Sequence, residues 1–162
     1  MSTSKPPVTP AVRFLRERGA AFESHLYSYV EHGGTAASSL ALGADEHAVI
    51  KTLVMEDEEK RPLIVLMHGD REVALGKLAR QLERRAIAPC RAETAERHSG
   101  YRVGGTSPFG TRHAMPVYAE GSIRELPRLY INGGKRGFLV SMSGAELWRL
   151  LEPKAVQAAV II

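Results

Sequence analysis

Two glycine-rich segments carry the residues most able to do chemistry in this chain. The first runs Gly100-Tyr101-Arg102-Val103-Gly104-Gly105-Thr106-Ser107-Pro108-Phe109-Gly110, the second Asn132-Gly133-Gly134-Lys135-Arg136-Gly137. Glycine tolerates positive φ and lets a ligand approach the backbone, so successive N–H groups can converge on one anion or carbonyl oxygen. Arg102, Lys135 and Arg136 add positive charge beside those amides. A third element, Val49-Ile50-Lys51-Thr52-Leu53-Val54-Met55, sets a lysine inside an apolar, strand-like run. Together these residues describe a pocket for a negatively charged or carbonyl-bearing ligand.

On a strand, Lys51 shares its face with Val49, Leu53 and Met55. An ammonium there must reach an edge or meet a partner, because burying it unpaired is costly. Taken singly, Lys51 reads equally as a strand lysine whose stem packs, and each glycine loop as a tight turn. Neither loop has the G-x-G-x-x-G or P-loop spacing of a nucleotide fingerprint. The six histidines are scattered without a His-x-x-x-His pair, and Cys90 is the one cysteine, so no metal site and no cofactor are expected. Ser107 precedes Pro108 and lacks a nucleophile-elbow context. An enzyme built from these residues works by positioning and backbone amides rather than by a protein nucleophile.

The elements that must hold these residues follow from the spacing. At 162 residues, 44% hydrophobic and 25% charged, the chain suits one domain with a substantial core. Residues 1–8 read as a loose tail and 9–162 as the domain. Thr9-Pro10 opens a helix; a strand follows over Phe22–Tyr29 and a helix over Thr35–Leu42, stopped by Gly43. Val49–Met55 and Pro62–Met67 form a hairpin, its second strand apolar on both faces and therefore central. Helical spacing returns over Leu75–Arg85 and Ala92–His98. Strands are expected near Met115–Ala119, over Arg128–Ile131 and over Phe138–Met142. Ser143-Gly144-Ala145-Glu146 is a capping box opening a helix through Leu151, and Ala155–Ile162 closes as a strand. The expected class is α/β, a single domain with a mixed, barrel-like β-sheet flanked by helices.

A lone cysteine suits a reducing compartment, and no apolar run approaches the length of a membrane span, so a cytoplasmic protein with no membrane partner is expected. The net charge of +4 is concentrated: Lys77, Arg80, Arg84, Arg85, Arg91, Arg97, Arg102, Arg112, Lys135 and Arg136 fall in one stretch, a face suited to polyanions such as RNA.

At these residues the chain resembles the YbaK/EbsC family of aminoacyl-tRNA deacylases, relatives of the editing domain inserted in bacterial prolyl-tRNA synthetases. The landmarks are Thr9-Pro10-Ala11-Val12, His25-Leu26-Tyr27, Val49-Ile50-Lys51-Thr52-Leu53 and the two glycine segments, in family order across nearly the whole chain. The resemblance implies a trans-editing deacylase that removes cysteine mischarged onto proline tRNA. It implies that Lys51 holds the 3′-terminal adenosine and its phosphate, that amides of Gly104, Gly133 and Gly134 surround the ester carbonyl, and that Asn132 orients the aminoacyl group. Tyr27, Tyr101, Gly105, Ser107, Lys135 and Arg136 are the implied substrate-binding residues. The substrate's own thiol is the implied nucleophile, and the partners are the aminoacyl-tRNA 3′ end and a prolyl-tRNA synthetase. The chain departs from cysteine-specific members at Asn132, where they have Ser, at Leu139, where they have Asp, and in a shorter Ser28–Ala36 stretch. Those departures leave open a hydrolytic deacylase for alanine, serine or a non-protein amino acid. A non-catalytic module that binds RNA or docks on a synthetase is the reading from another class.

Overall fold

Thr9 begins the first helix as its type dictates: its hydroxyl accepts from the Val12 N–H, and Pro10 occupies the first helical position of α1 (Pro10–Glu17). The computed structural model describes residues 5–161. From α1 the chain runs through β1 (Glu23–Leu26), α2 (Gly34–Leu42), a 3₁₀ turn (Glu46–Ala48), β2 (Val49–Asp57), β3 (Pro62–His68), β4 (Arg71–Val73), α3 (Leu75–Gln81) and β5 (Ile87–Pro89). It continues through α4 (Ala92–Ser99), β6 (Val117–Glu120), a second 3₁₀ turn (Gly121–Glu125), β7 (Leu129–Lys135), β8 (Phe138–Met142), α5 (Gly144–Leu151), β9 (Lys154–Val156) and β10 (Ala159–Ile161).

The main sheet has the order β1-β8-β7-β2-β3-β6-β9, with β5 paired to the far end of β2, while β4 and β10 form a separate ladder. It is mixed: β2–β7, β3–β6 and β6–β9 are parallel and the other pairs antiparallel. This is the α/β, mixed-sheet, helix-flanked single domain that the sequence implies. Among the described residues no helix is long and apolar enough to cross a membrane.

Two apolar clusters lie on opposite faces of the sheet. Ile64 and Leu66 of β3 join Ile50, Val54, Ile131, Val140 and α1 on one face, while Leu63 and Val65 join Met55, Leu78 and Ile87 on the other. A strand covered on both faces must be apolar at every position, which is why Leu63–Met67 shows no alternation. Each such buried aliphatic side chain contributes about 1.5–3 kcal/mol relative to exposure.

Several elements differ from expectation for local reasons. The strand expected over Phe22–Tyr29 pairs only at Glu23–Leu26, after which the Tyr27 N–H bonds the Gly137 carbonyl at the turn joining β7 and β8. The helix expected to Arg85 ends at Gln81, because Glu83 takes positive φ and Arg84 turns in to pair with the buried Asp57. The strand expected over 155–162 splits between two sheets: the Ala158 N–H is bonded by the Glu120 carboxylate and its carbonyl by the Ala74 N–H. Only half of the capping box forms. Ser143 Oγ accepts from the Glu146 N–H, but the Glu146 carboxylate goes to the Ala21 N–H and Arg149. Of the tail expected over 1–8, residues 5–8 lack regular structure, and residues 1–4, like Ile162, lie outside the described residues.

Candidate active site

Strand β2 changes partners along one edge. It pairs with β7 at Val49 and Ile50, and with β5 from Met55 to Asp57. The intervening edge, around Lys51–Leu53, opens into a cavity of about 580 Å³, within the usual size of small-molecule sites. α2 forms one wall, the Pro89–Cys90 segment and Ala95 of α4 another, and Val103-Gly104 with Asn132 and Arg136 a third. Tyr27, Tyr29 and Leu139 complete the lining.

The parallel register pairs Ile50 with Ile131, both in the core. Side chains alternate along strands, so the next residues, Lys51 and Asn132, share the opposite face. Lys51 Nζ donates to the Arg71 carbonyl at 2.7 Å. An ammonium has three N–H donors, so this bond fixes the head and leaves two for a ligand.

Asn132 joins the two glycine segments. Its Nδ2 donates to the Gly104 carbonyl at 3.1 Å, and its Oδ1 accepts from the N–H groups of Gly134 at 2.7 Å and Lys135 at 3.2 Å. The Arg136 guanidinium adds a second link, Nε to the Val103 carbonyl at 2.9 Å. Gly104 is required chiefly by its backbone conformation and Gly105 by space. A Cβ on Gly104 (φ +90°) would lie 2.5 Å from the Tyr29 hydroxyl, and one on Gly105 would lie 2.8 Å from the Arg136 backbone nitrogen. Gly104 lines the cavity, and its N–H has no acceptor among the described residues.

The cavity therefore gathers Lys51, Tyr27, Gly104, Asn132 and Arg136 of the expected residues. It does not gather Tyr101, Gly105, Ser107, Gly133, Gly134 or Lys135. Tyr101 is buried, its hydroxyl donating to the Phe109 carbonyl, and burial pushes its pKa up to about 12. Ser107 is fully buried, with Oγ accepting from the Phe109 N–H. The Gly105 N–H bonds the Arg102 carbonyl. Gly133 packs on the Phe138 ring and its carbonyl accepts from the Thr9 hydroxyl, while Gly134 packs on the Tyr101 ring. In place of the ligand-facing amides expected at Gly133-Gly134, the structure has an Asn132-capped bulge whose N–H donors at 134 and 135 are taken. The expected role of Asn132 changes with them: its polar atoms hold loops.

Sequence reasoning missed Tyr29, Thr52 and Cys90 as lining residues. Tyr29 sits two residues beyond Tyr27, a spacing that keeps extended residues on one side, and the Arg136 guanidinium lies 5.1 Å from its ring centroid. Burial, with Tyr29 nearby, raises the Tyr27 pKa against the opposing Gly137 hydrogen bond. Thr52 Oγ1 is buried with no hydrogen-bond partner. Burial and the Glu56 carboxylate push the Cys90 thiol up to about 11, so it is a protonated wall group at neutral pH.

The family described as the aminoacyl-tRNA editing domain matches residues 32–150. A protein described as a candidate Cys-tRNA(Pro)/Cys-tRNA(Cys) deacylase, EbsC from Enterococcus faecalis, is 24% identical over 136 residues, covering 83% of each chain. A proline–tRNA ligase from Brachyspira hyodysenteriae is 30% identical over 86 residues, which span 53% of this chain and 15% of the ligase. The crystal structure of a candidate trans-editing enzyme for prolyl tRNA synthetase superposes with a TM-score of 0.82 at 21% identity, covering 95% of this chain and 99% of that one.

Proposed function

This chain belongs to the aminoacyl-tRNA editing domain family, and on that premise we propose that it is a trans-editing deacylase whose preferred substrate is Cys-tRNA(Pro). The activity common to the family, deacylation of aminoacyl-tRNA, needs a grip on the 3′-terminal nucleotide and a donor at the ester carbonyl.

The observation that carries the reading is the pairing of Lys51 with the Gly104 N–H across one cavity. In this reading the Lys51 ammonium, braced by the Arg71 carbonyl, binds the phosphate of the 3′-terminal nucleotide. The Gly104 N–H faces the ester carbonyl, where a donor aimed at the developing oxyanion contributes about 3–4 kcal/mol. Tyr27 and Tyr29 flank the amino-acid end. An aminoacyl ester is already activated, so orientation supplies much of the remaining acceleration.

The lining residues support a nucleophile carried by the substrate. Among the described residues no lining hydroxyl is hydrogen-bonded to a histidine, and the Cys90 thiol is held protonated. A substrate thiol meets the need. As its sulfur bonds the carbonyl carbon, the ester C–O bond breaks, the thiol proton passes to the 3′-oxygen, and a cyclic thioester leaves. A prolyl-tRNA synthetase is the protein partner this reading admits, through the likeness to the ligase.

The test is deacylation of tRNA(Pro) charged with Cys, Ala, Ser or Pro by wild type and Lys51→Ala. Loss of Cys, reduced 10²–10³-fold in the variant (on the order of one donor's contribution), supports the proposal. Preferential loss of Ala or Ser replaces the thiol route with a water nucleophile and assigns Leu139 to specificity. Wild-type turnover in folded Lys51→Ala defeats the site, and no loss from any substrate makes the chain a binding module.

A further inference from the structure

The basic residues that the sequence groups together separate into two kinds in three dimensions. Arg84 is consumed by the buried Asp57, which also holds Arg61. Arg97, Arg102, Arg112, Lys135 and Arg136 form no ion pair among the described residues. These free cations come from two stretches, 97–119 and 126–145, that contain no Asp or Glu at all. Because the two stretches hold six Lys and Arg residues, the rest of the chain is net negative despite the overall +4.

The fold joins these stretches at the mouth of the cavity. Arg97 lies in the last turn of α4, and Arg102 follows the left-handed Gly100 that ends it. Arg112 is stitched to the same helix end by its N–H to the Ser99 carbonyl at 3.0 Å, and His113 by its N–H to the His98 carbonyl at 3.1 Å. The Arg136 guanidinium reaches across to Val103. Arg97, Arg102 and Arg112 are exposed around Gly100, one short loop from the cavity-lining Val103 and Gly104. The nearby carboxylates are Glu93 on the first turn of α4, Glu96, whose Oε2 is engaged by the Val103 N–H, and Glu56, which is engaged by Lys60 and the Cys90 thiol.

We propose that Arg97, Arg102 and Arg112 form a docking surface for the sugar-phosphate backbone of the tRNA acceptor end, so that this chain grips the RNA itself. The inference rests on the deacylase reading for its substrate but concerns a separate surface. In this reading a strand whose 3′ end enters the cavity beside Gly104 leaves past the Gly100 loop, where three guanidiniums without ion pairs among the described residues are exposed. Guanidiniums match phosphate oxygens in charge and geometry, and such contacts orient the nucleic acid without reading its sequence.

The experiment compares wild type, the triple variant Arg97→Gln/Arg102→Gln/Arg112→Gln, and a control, Lys77→Gln/Arg80→Gln, on exposed positions of α3. Each is assayed for binding of uncharged tRNA(Pro) over a salt series, and for deacylation of Cys carried either on tRNA(Pro) or on a CCA trinucleotide. The expected result is a KM for tRNA raised at least about tenfold and a salt slope smaller by about three, one for each guanidinium replaced. Turnover on the trinucleotide stays at the wild-type value, and the control leaves all readouts unchanged. Unaltered tRNA binding and KM in the triple variant overturns the proposal, as does an equal loss on tRNA and trinucleotide. A wild type that deacylates neither substrate, yet binds tRNA with salt dependence sensitive to the triple variant, sustains the surface and sinks the deacylase reading alone.

Discussion

Asn132 and Gly104, 28 residues apart, are joined by a hydrogen bond from Nδ2 to the Gly104 carbonyl at 3.1 Å, while Asn132 Oδ1 caps the bulge at Gly134. Together with the Arg136 link to the Val103 carbonyl, this side chain ties the two loops at the cavity that Gly104 lines.

Removing that link should cost catalysis more than folding. Asn132→Ala is expected to lower kcat about 10²-fold, near the loss of one oriented donor, with a smaller change in KM. Asn132→Asp keeps the acceptor for Gly134 but cannot donate to Gly104, so it should behave like Asn132→Ala. Single-turnover deacylation beside a thermal melt separates the two effects, and an Asn132→Asp rate equal to wild type would remove the link from the mechanism.

A side chain at Gly104 is strained. Its φ of +90° and the 2.5 Å approach that a Cβ would make to the Tyr29 hydroxyl together predict that Gly104→Ala loses about 1–3 kcal/mol, a fall in Tm of several degrees. Tyr29→Phe, which deletes the obstructing oxygen, should return part of that stability in the double variant. No recovery in a double-mutant melt would mean that backbone conformation alone sets the cost.

Cys90 lines the cavity but is not a nucleophile. Cys90→Ser is expected to retain deacylation within about threefold of wild type. Below about pH 11 the thiol stays protonated, so alkylation by iodoacetamide at pH 7 should be slower than for a free cysteine, whose pKa is about 8.5. Rapid alkylation at pH 7, read by mass spectrometry, would contradict the burial of this thiol.

Asp57 makes a prediction for acid stability. Burial disfavours its charge, but the N–H groups of Arg61 and Glu59 and the Arg61 and Arg84 guanidiniums outweigh that, lowering its pKa from 3.8 to about 2. A depressed folded-state pKa stabilises above the unfolded value and loses that contribution as pH falls through the folded one. The Tm should therefore drop between about pH 4 and pH 2, a window shared with Glu146, which Arg149 holds at about 2 against the burial that opposes it. Asp57→Asn should be destabilised at pH 7, because Arg84 loses its partner, and should show a shallower acid transition. An unchanged acid slope would remove Asp57 as its cause.

The boundary between sequence and tertiary structure is visible at particular residues. Local signals carried far: Thr9-Pro10, Gly43 and Ser143 mark helix ends because capping is a matter of neighbours in the chain, and Leu63–Met67 declares a doubly covered strand by lacking alternation. The family resemblance put Lys51 and Gly104 among the expected site residues, together with Gly133 and Gly134. The fate of individual polar atoms was not legible, since a hydrogen-bond partner is chosen in space. Gly133-Gly134 reads as an anion cradle until Asn132 Oδ1 occupies the Gly134 and Lys135 N–H groups, Ser107 and Tyr101 turn inward to serve Phe109, and Arg84 is withdrawn by Asp57. The sequence by itself determined most of the longer elements, the fold class and the family, because these depend on short-range periodicity and motif order. Only the tertiary structure decided which amides are already engaged, which arginines form no ion pair among the described residues and where β2 leaves its edge open, because each is settled by residues that meet in space while lying far apart along the chain.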